Sequence, residues 1–191
     1  MNLIRKKGFS LVELIVVVAI FGMLFVVISN TFFNSMKAAI KAEALKEVRQ
    51  NGDVAMARMI YDIRKSTGYT CWKDASNNLV LILLNVDETT DDLRVGYRWN
   101  NNNLLRSRII NAVWTGDNII DSKNVMLSSI PTTYFSCPDG IGASIISTKP
   151  LEIDFTLQYV PFGIVANLSN IRSEEKVEMR FRTTVVPRNT N

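Results

Sequence analysis

The chain has 191 residues, 47% of them hydrophobic, and its 22 cations exceed its 18 anions by four. Three of these cations lie in residues 5–7, so the chain from residue 9 onward carries 19 cations against 18 anions. It therefore has no basic block suited to nucleic-acid phosphates. Histidine is absent, which excludes Ser–His and Cys–His catalytic pairs, and no metal-ligand motif is present. We expect a protein that is not an enzyme and that holds neither a cofactor nor a metal.

The first predicted element is an apolar helix of membrane length. Residues Leu14 to Met36 carry no charge, and at about 1.5 Å per residue they can cross a hydrocarbon core of about 30 Å. The cations Arg5, Lys6 and Lys7 precede this stretch, so the positive-inside rule places the N-terminus in the cytoplasm and the remainder beyond the membrane.

Glu13 lies at the start of this apolar stretch. A carboxylate in a membrane-spanning helix costs roughly 2.5–3.5 kcal/mol, so Glu13 marks a functional site by default. A cleaved secretory signal or a plain single-span anchor would each place an apolar segment here. Neither alternative explains Glu13 or the glycine at position 8.

The junction Lys6-Lys7-Gly8-Phe9-Ser10-Leu11-Val12-Glu13-Leu14 resembles the class III leader junction of type IV pilins and type II secretion pseudopilins. In that family a membrane aspartic peptidase cuts after the glycine and methylates the new N-terminal residue. The resemblance implies that residues 1–8 are a leader, that cleavage falls between Gly8 and Phe9, and that Phe9 is methylated. It also implies that Glu13 pairs with the N-terminal amine of a neighbouring subunit and so sets the register of assembly.

The residues after position 36 predict that the same helix continues as an amphipathic segment. Apolar residues recur at three- and four-residue steps over residues 40–63, with charged residues between them. Gly52 lies on this stripe and should weaken the helix by about 1 kcal/mol relative to alanine. We predict one helix from Ser10 to about Lys65, half in lipid and half packed on a globular head.

The remainder of the chain predicts β-strands. The last two predicted strands alternate apolar and polar residues, which is typical of an antiparallel sheet with one buried face, and the helix is its natural cover. The predicted fold is therefore α+β and pilin-like. We predict a leader over 1–8, a transmembrane half-helix over 9–36, an amphipathic half-helix over 37–66 and a β-rich head over 67–191. The predicted strands are Leu79–Leu84, Leu93–Trp99, Leu104–Ile110, Val125–Ile130, Thr132–Cys137, Leu151–Tyr159 and Val177–Val186.

Two features of the head leave alternatives open. Cys71 and Cys137 could form a disulfide in an oxidising compartment, worth roughly 4 kcal/mol, or could remain two unpaired thiols. The acidic run over residues 87–92 could supply oxygen ligands for calcium. It lacks the EF-hand spacing, however, and we expect a solvated loop.

The resemblance also bears on function. Many main pilins carry a kinking proline in the membrane half of the helix, and this chain has none before Pro131. The ending Thr183–Asn189 resembles that of larger minor subunits, including J-type pseudopilins and W-type minor pilins. These features favour a minor subunit of a type II secretion pseudopilus or a type IV pilus in the bacterial cytoplasmic membrane. Its expected partners are prepilin peptidase, sister subunits and membrane lipid.

A membrane-anchored adhesin or DNA-uptake protein is the rival interpretation, with its function in the head. The three tryptophans of the chain, Trp72, Trp99 and Trp114, could form an aromatic binding face in such a protein. They could equally belong to the core or to its rim.

Overall fold

The computed structural model describes residues 10–74, 78–84, 94–100, 103–110, 113–120, 124–128, 134–142, 146–160 and 176–188. Within these ranges it leaves out the side chains of residues 100, 108–110, 113, 114 and 117. The predictions on Arg5, Lys6, Lys7, Gly8 and Phe9 lie outside the described residues, as does the acidic run over 87–92.

Helix α1 spans Leu11–Lys65, which confirms the predicted single helix. Serine is favoured at helix N-caps, and the carbonyl of Ser10 accepts the first helical hydrogen bond from the Leu14 N–H at 3.2 Å. No proline interrupts the 55 residues that follow. Arg64 and Lys65 lie in the last turn, where positive charge is favoured by the helix dipole.

The chain divides into two compact units, Met1–Glu43 and Ala44–Asn191. In the first unit, the described residues from Ser10 onward lie in α1 or at its cap, and almost all of them are exposed. In the second unit the helix has one buried face at three- and four-residue steps, which confirms the predicted amphipathic pattern. The buried helical residues are Ala44, Val48, Gly52, Ala55, Met59 and Ile63.

Five strands of the second unit form an antiparallel meander in which each strand pairs with the next along the chain. Its second, third and fourth strands were predicted, whereas the first and fifth were not. Glycine is typical of the position just after a helix ends, but Gly68 is the first residue of the first strand, which begins shortly after the helix ends at Lys65. The five strands are β1 (Gly68–Lys73), β2 (Leu79–Leu84), β3 (Arg94–Asn100), β4 (Asn103–Ile110) and β5 (Val113–Asn118).

The remaining described strands form a second antiparallel sheet, so the head contains two sheets where a single one was expected. The longest pair, β8 with β9, is in register from Leu151↔Val185 to Tyr159↔Val177. The other edge of β8 pairs with two short strands, one at each end. The four strands are β6 (Val125–Leu127), β7 (Phe135–Ser136), β8 (Leu151–Tyr159) and β9 (Val177–Val185).

The core of the second unit lies between the helix and the two sheets. The helix contributes Met59 and Ile63, and the centre of the second sheet contributes a stacked aromatic pair, Phe155 and Phe181, with ring centroids 5.4 Å apart. The α+β pilin-like fold is thereby confirmed: one long N-terminal helix, whose later turns cover antiparallel sheets.

Candidate functional site

The first half of α1 exposes a continuous apolar surface. From Leu11 to Met36, every large hydrophobic side chain is between 39% and 74% exposed. The helix is long and apolar enough to cross a membrane by length and composition, and none of its most apolar stretch is buried within the chain. The core helix of a soluble protein would instead be mostly buried, so this segment is not a core element of the second unit.

Glu13 lies in the first turn of this exposed helix. A carboxylate there interacts favourably with the helix dipole, by about 0.3–1 kcal/mol in exposed settings. Among the described residues, no cation lies within ion-pair distance of the Glu13 carboxylate.

Cys71 and Cys137 are joined in a disulfide, with their Cα atoms 6.4 Å apart. Cys71 lies in β1 and Cys137 directly follows β7, so the bond ties the two sheets together. Two backbone bonds support this junction. The Gly142 N–H donates to the Cys71 carbonyl at 2.7 Å, and the Gly140 N–H donates to the Cys137 carbonyl at 3.1 Å. Gly140 has a φ of +94°, in the left-handed region that glycine tolerates best.

A polar cluster lies beside the disulfide. Tyr69 and Ser147 exchange both backbone hydrogen bonds, at 2.9 and 2.8 Å, and the Asp139 carboxylate pairs with the Lys149 ammonium. The hydrogen bond from Lys149 lowers the pKa of Asp139. Within the described ranges, no group of three or more His, Cys, Asp and Glu residues could hold a metal. This cluster fixes the turn after β7 and offers no evident chemistry.

Asp62, near the end of α1, attaches the helix to the middle of the first sheet. One carboxylate oxygen, Oδ2, accepts from the Tyr97 hydroxyl at 2.5 Å and from the Arg106 Nε at 2.7 Å. Tyr97 and Arg106 are directly opposite each other on β3 and β4, so a single carboxylate joins two strands to the helix. The hydrogen bond to Asp62 raises the pKa of Arg106, while burial, reinforced by Asp62, raises the pKa of Tyr97.

This cluster was not predicted from the sequence. The sequence contains only a weak indication of it: Asp62 is an acid directly before Ile63, the last residue of the buried helical face. Its partners are far away in sequence, and only the strand register brings them together.

The end of the helix is bonded at three further points. The Ser66 hydroxyl donates to the Ile63 carbonyl at 2.7 Å, which satisfies one of the free carbonyls of the last turn. The Thr67 N–H donates to the Leu84 carbonyl, and the Arg188 N–H donates to the Ser66 carbonyl, both at 2.9 Å. The helix end is thus bonded to β2 and to the chain that follows β9.

The three tryptophans do not form a common exposed face. Trp99 is only 4% exposed and packs against Tyr134, Phe135 and Phe155 at centroid distances of 4.1, 5.7 and 5.8 Å. Trp72 is partly buried, and the side chain of Trp114 lies outside the described part of the chain. Because Trp99 belongs to the core, the three tryptophans cannot together form the exposed aromatic binding face of the rival interpretation.

Residues 3–29 match the family model described as the prokaryotic N-terminal methylation motif. Comparison with curated proteins and with solved structures gave no significant match. The matched residues carry a type IV pilin-like prepilin signal and extend into the exposed apolar half of α1. The motif supports a precursor of the pilin or pseudopilin type. It implies processing by prepilin peptidase and assembly with other pilin subunits, and it is compatible with membrane anchoring.

Proposed function

We propose that the chain is a minor structural subunit of a type II secretion pseudopilus or of a type IV pilus. One observation carries the proposal: the methylation motif at residues 3–29 runs directly into an exposed apolar helix that contains a single acid, Glu13, in its membrane-length half. A structural role needs no catalytic residues, and the chain carries no histidine for the commonest acid–base chemistry.

In this proposal the precursor inserts with the cations of residues 5–7 in the cytoplasm and its head beyond the cytoplasmic membrane. Prepilin peptidase cuts between Gly8 and Phe9 and methylates the amine of Phe9. A glycine before the scissile bond lets the peptidase approach the backbone closely, because glycine has no side chain. The disulfide between Cys71 and Cys137 supports a head in an oxidising compartment, where such bonds persist.

Assembly then packs the exposed apolar side chains of α1 against the helices of sister subunits in a periplasmic or surface filament. Glu13 sets the axial register, because its carboxylate pairs with the N-terminal amine of the adjacent subunit. A subunit that docks out of step leaves both charges buried and unpaired, which is strongly unfavourable. The absence of proline from the membrane half of the helix favours a minor subunit over a main pilin.

The test replaces Glu13 by its neutral isostere in cells with the assembly machinery intact. Glu43 is an exposed acid on the same helix, and Glu43→Gln is the matched control. The readout is the amount of chain recovered with sister subunits after membrane solubilisation. We expect Glu13→Gln to lower recovery more than tenfold, since truncating one partner of a buried charge pair costs about 2–5 kcal/mol. Equal recovery of both variants and the parent would show that Glu13 does not direct assembly.

A further inference from the structure

A polar stripe marks one face of α1 where the apolar stretch ends. Asn30, Asn34, Lys37 and Lys41 follow one another at steps of four, three and four residues, which places them on one face of a helix. All four side chains are exposed. The stripe begins inside the uncharged stretch and ends beyond it, since Lys37 directly follows Met36.

The two lysines of this stripe lack counter-charges. No acid lies three or four residues from either Lys37 or Lys41, and in the described part of the chain neither ammonium contacts a carboxylate. Further along the same helix, Arg49 pairs with Asp53 at 3.7 Å. Two like charges four residues apart also repel each other and weaken the helix slightly. An anion held between the two ammonium groups would remove both penalties.

We propose that Lys37 and Lys41, with Asn34 as an additional hydrogen-bond donor, bind the headgroup of an acidic phospholipid on the outer surface of the membrane. The inference rests on the membrane insertion in the proposed function. If residues 14–36 cross the hydrocarbon, the next turn of the helix lies among the lipid headgroups of the far leaflet.

The chemistry of the site fits a lipid phosphate. Lysine is a compact charge on a flexible four-carbon stem, so two lysines on successive turns can converge on one phosphate while their stems stay along the apolar surface. The negative potential of an acidic membrane surface attracts cationic segments and repels free phosphate, which favours a lipid headgroup over free phosphate as the ligand. The contact would fix the depth of the outer end of the span.

The experiment measures lipid retention by the full-length protein. The protein is purified in mild detergent with equimolar phosphatidylglycerol and phosphatidylcholine, and native mass spectrometry gives the ratio of the two bound lipids. The parent, the test variant and the control all carry Arg5→Gln, Lys6→Gln and Lys7→Gln, so that the leader cations do not contribute to lipid binding. The test variant is Lys37→Gln/Lys41→Gln.

The matched control is Lys46→Gln/Arg58→Gln, which removes two exposed cations from the second unit without altering the stripe. We expect the parent to retain phosphatidylglycerol in preference to phosphatidylcholine. The ratio of bound phosphatidylglycerol to bound phosphatidylcholine should fall about fivefold for each lysine removed, equivalent to about 1 kcal/mol per cation. The control should keep the ratio of the parent. The inference is overturned if the parent shows no preference, if the test variant keeps it, or if the control loses it equally.

This measurement needs neither peptidase nor sister subunits. Equal recovery of Glu13→Gln and the parent with sister subunits, together with an intact lipid preference, would refute the proposed function alone. An absent lipid preference with normal assembly would refute the headgroup site alone.

Discussion

At Gly52 the helix lies close to the Phe181 ring of the second sheet, and replacing this glycine tests that packing. A Cβ atom added at Gly52 would lie 2.0 Å from Cζ of Phe181 and 2.3 and 2.4 Å from its two Cε atoms. Carbon atoms in contact are normally about 3.5–4.0 Å apart, so the ring would have to retreat by about 1.5 Å. The Phe181 ring cannot retreat freely, because it stacks on Phe155 and β9 is paired along its length with β8.

The expected effect of Gly52→Ala is the difference between two opposing terms. Alanine gains about 1 kcal/mol over glycine in a helix interior. Overpacking a buried contact typically costs about 1–3 kcal/mol, and the large displacement required here favours the upper end of that range. We expect a net loss of about 2 kcal/mol in the free energy of unfolding, which corresponds to about 4–8 °C in Tm for a unit of this size.

Urea unfolding of the purified chain in detergent, followed by tryptophan fluorescence, measures this loss. The control is a double-mutant cycle with Phe181→Leu, which replaces the ring that the added methyl group would meet by a shorter side chain. In the Phe181→Leu background, Gly52→Ala should become neutral or should stabilise the helix by up to about 1 kcal/mol. A Gly52→Ala substitution that stabilises the parent chain, or that costs the same in both backgrounds, would refute the close contact.

Three further perturbations test the head. Cys71→Ser should lower the free energy of unfolding by about 4 kcal/mol and abolish the effect of reductant on the unfolding midpoint, because the disulfide closes a long loop; an unchanged midpoint would contradict this. Asp62→Ala should cost about 3 kcal/mol in a urea titration, since it leaves the partly buried Arg106 cation without its carboxylate, and a cost below about 0.5 kcal/mol would count against the cluster. The free energy of unfolding, measured as a function of pH on the acid side, should show a stabilising contribution from Asp154, whose pKa is lowered by the hydrogen bond from Arg180. Because the pKa of Asp154 is lower in the folded than in the unfolded chain, this stabilisation is complete above about pH 4 and is lost as the pH falls through the folded pKa. The variant Asp154→Asn should not show that loss.

The helix could be predicted almost to the residue because its signals are local. The apolar stretch continues into an amphipathic stripe without a proline. The strands β8 and β9 were equally clear, because their alternation directly reflects one buried face and one more accessible face, which is half-buried in β8 and mostly exposed in β9. The role of Glu13 stays a prediction, which rests on a local signal as well, since a single acid beside a long apolar run is conspicuous without any tertiary information.

The features that escaped prediction depend on contacts distant in sequence. Strand β5 contains Gly116, Asp117 and Asn118, residue types that are depleted in strands, and it forms because β4 supplies a pairing edge. Gly52 was interpreted as a weak point of the helix, whereas the Phe181 ring occupies the space that its missing side chain leaves. The Asp62 cluster required the register of β3 and β4, which no local pattern specifies.

In the proposed function this chain is a precursor whose mature form begins at Phe9 and joins a filament of the pilin type. The most direct measurement is the intact mass of the protein isolated from cells with an active prepilin peptidase, compared with cells that lack the enzyme. We expect a chain without residues 1–8 and with one N-terminal methyl group in the cells with the enzyme, and the unprocessed precursor in the cells without it. A chain that retains residues 1–8 in both would contradict it.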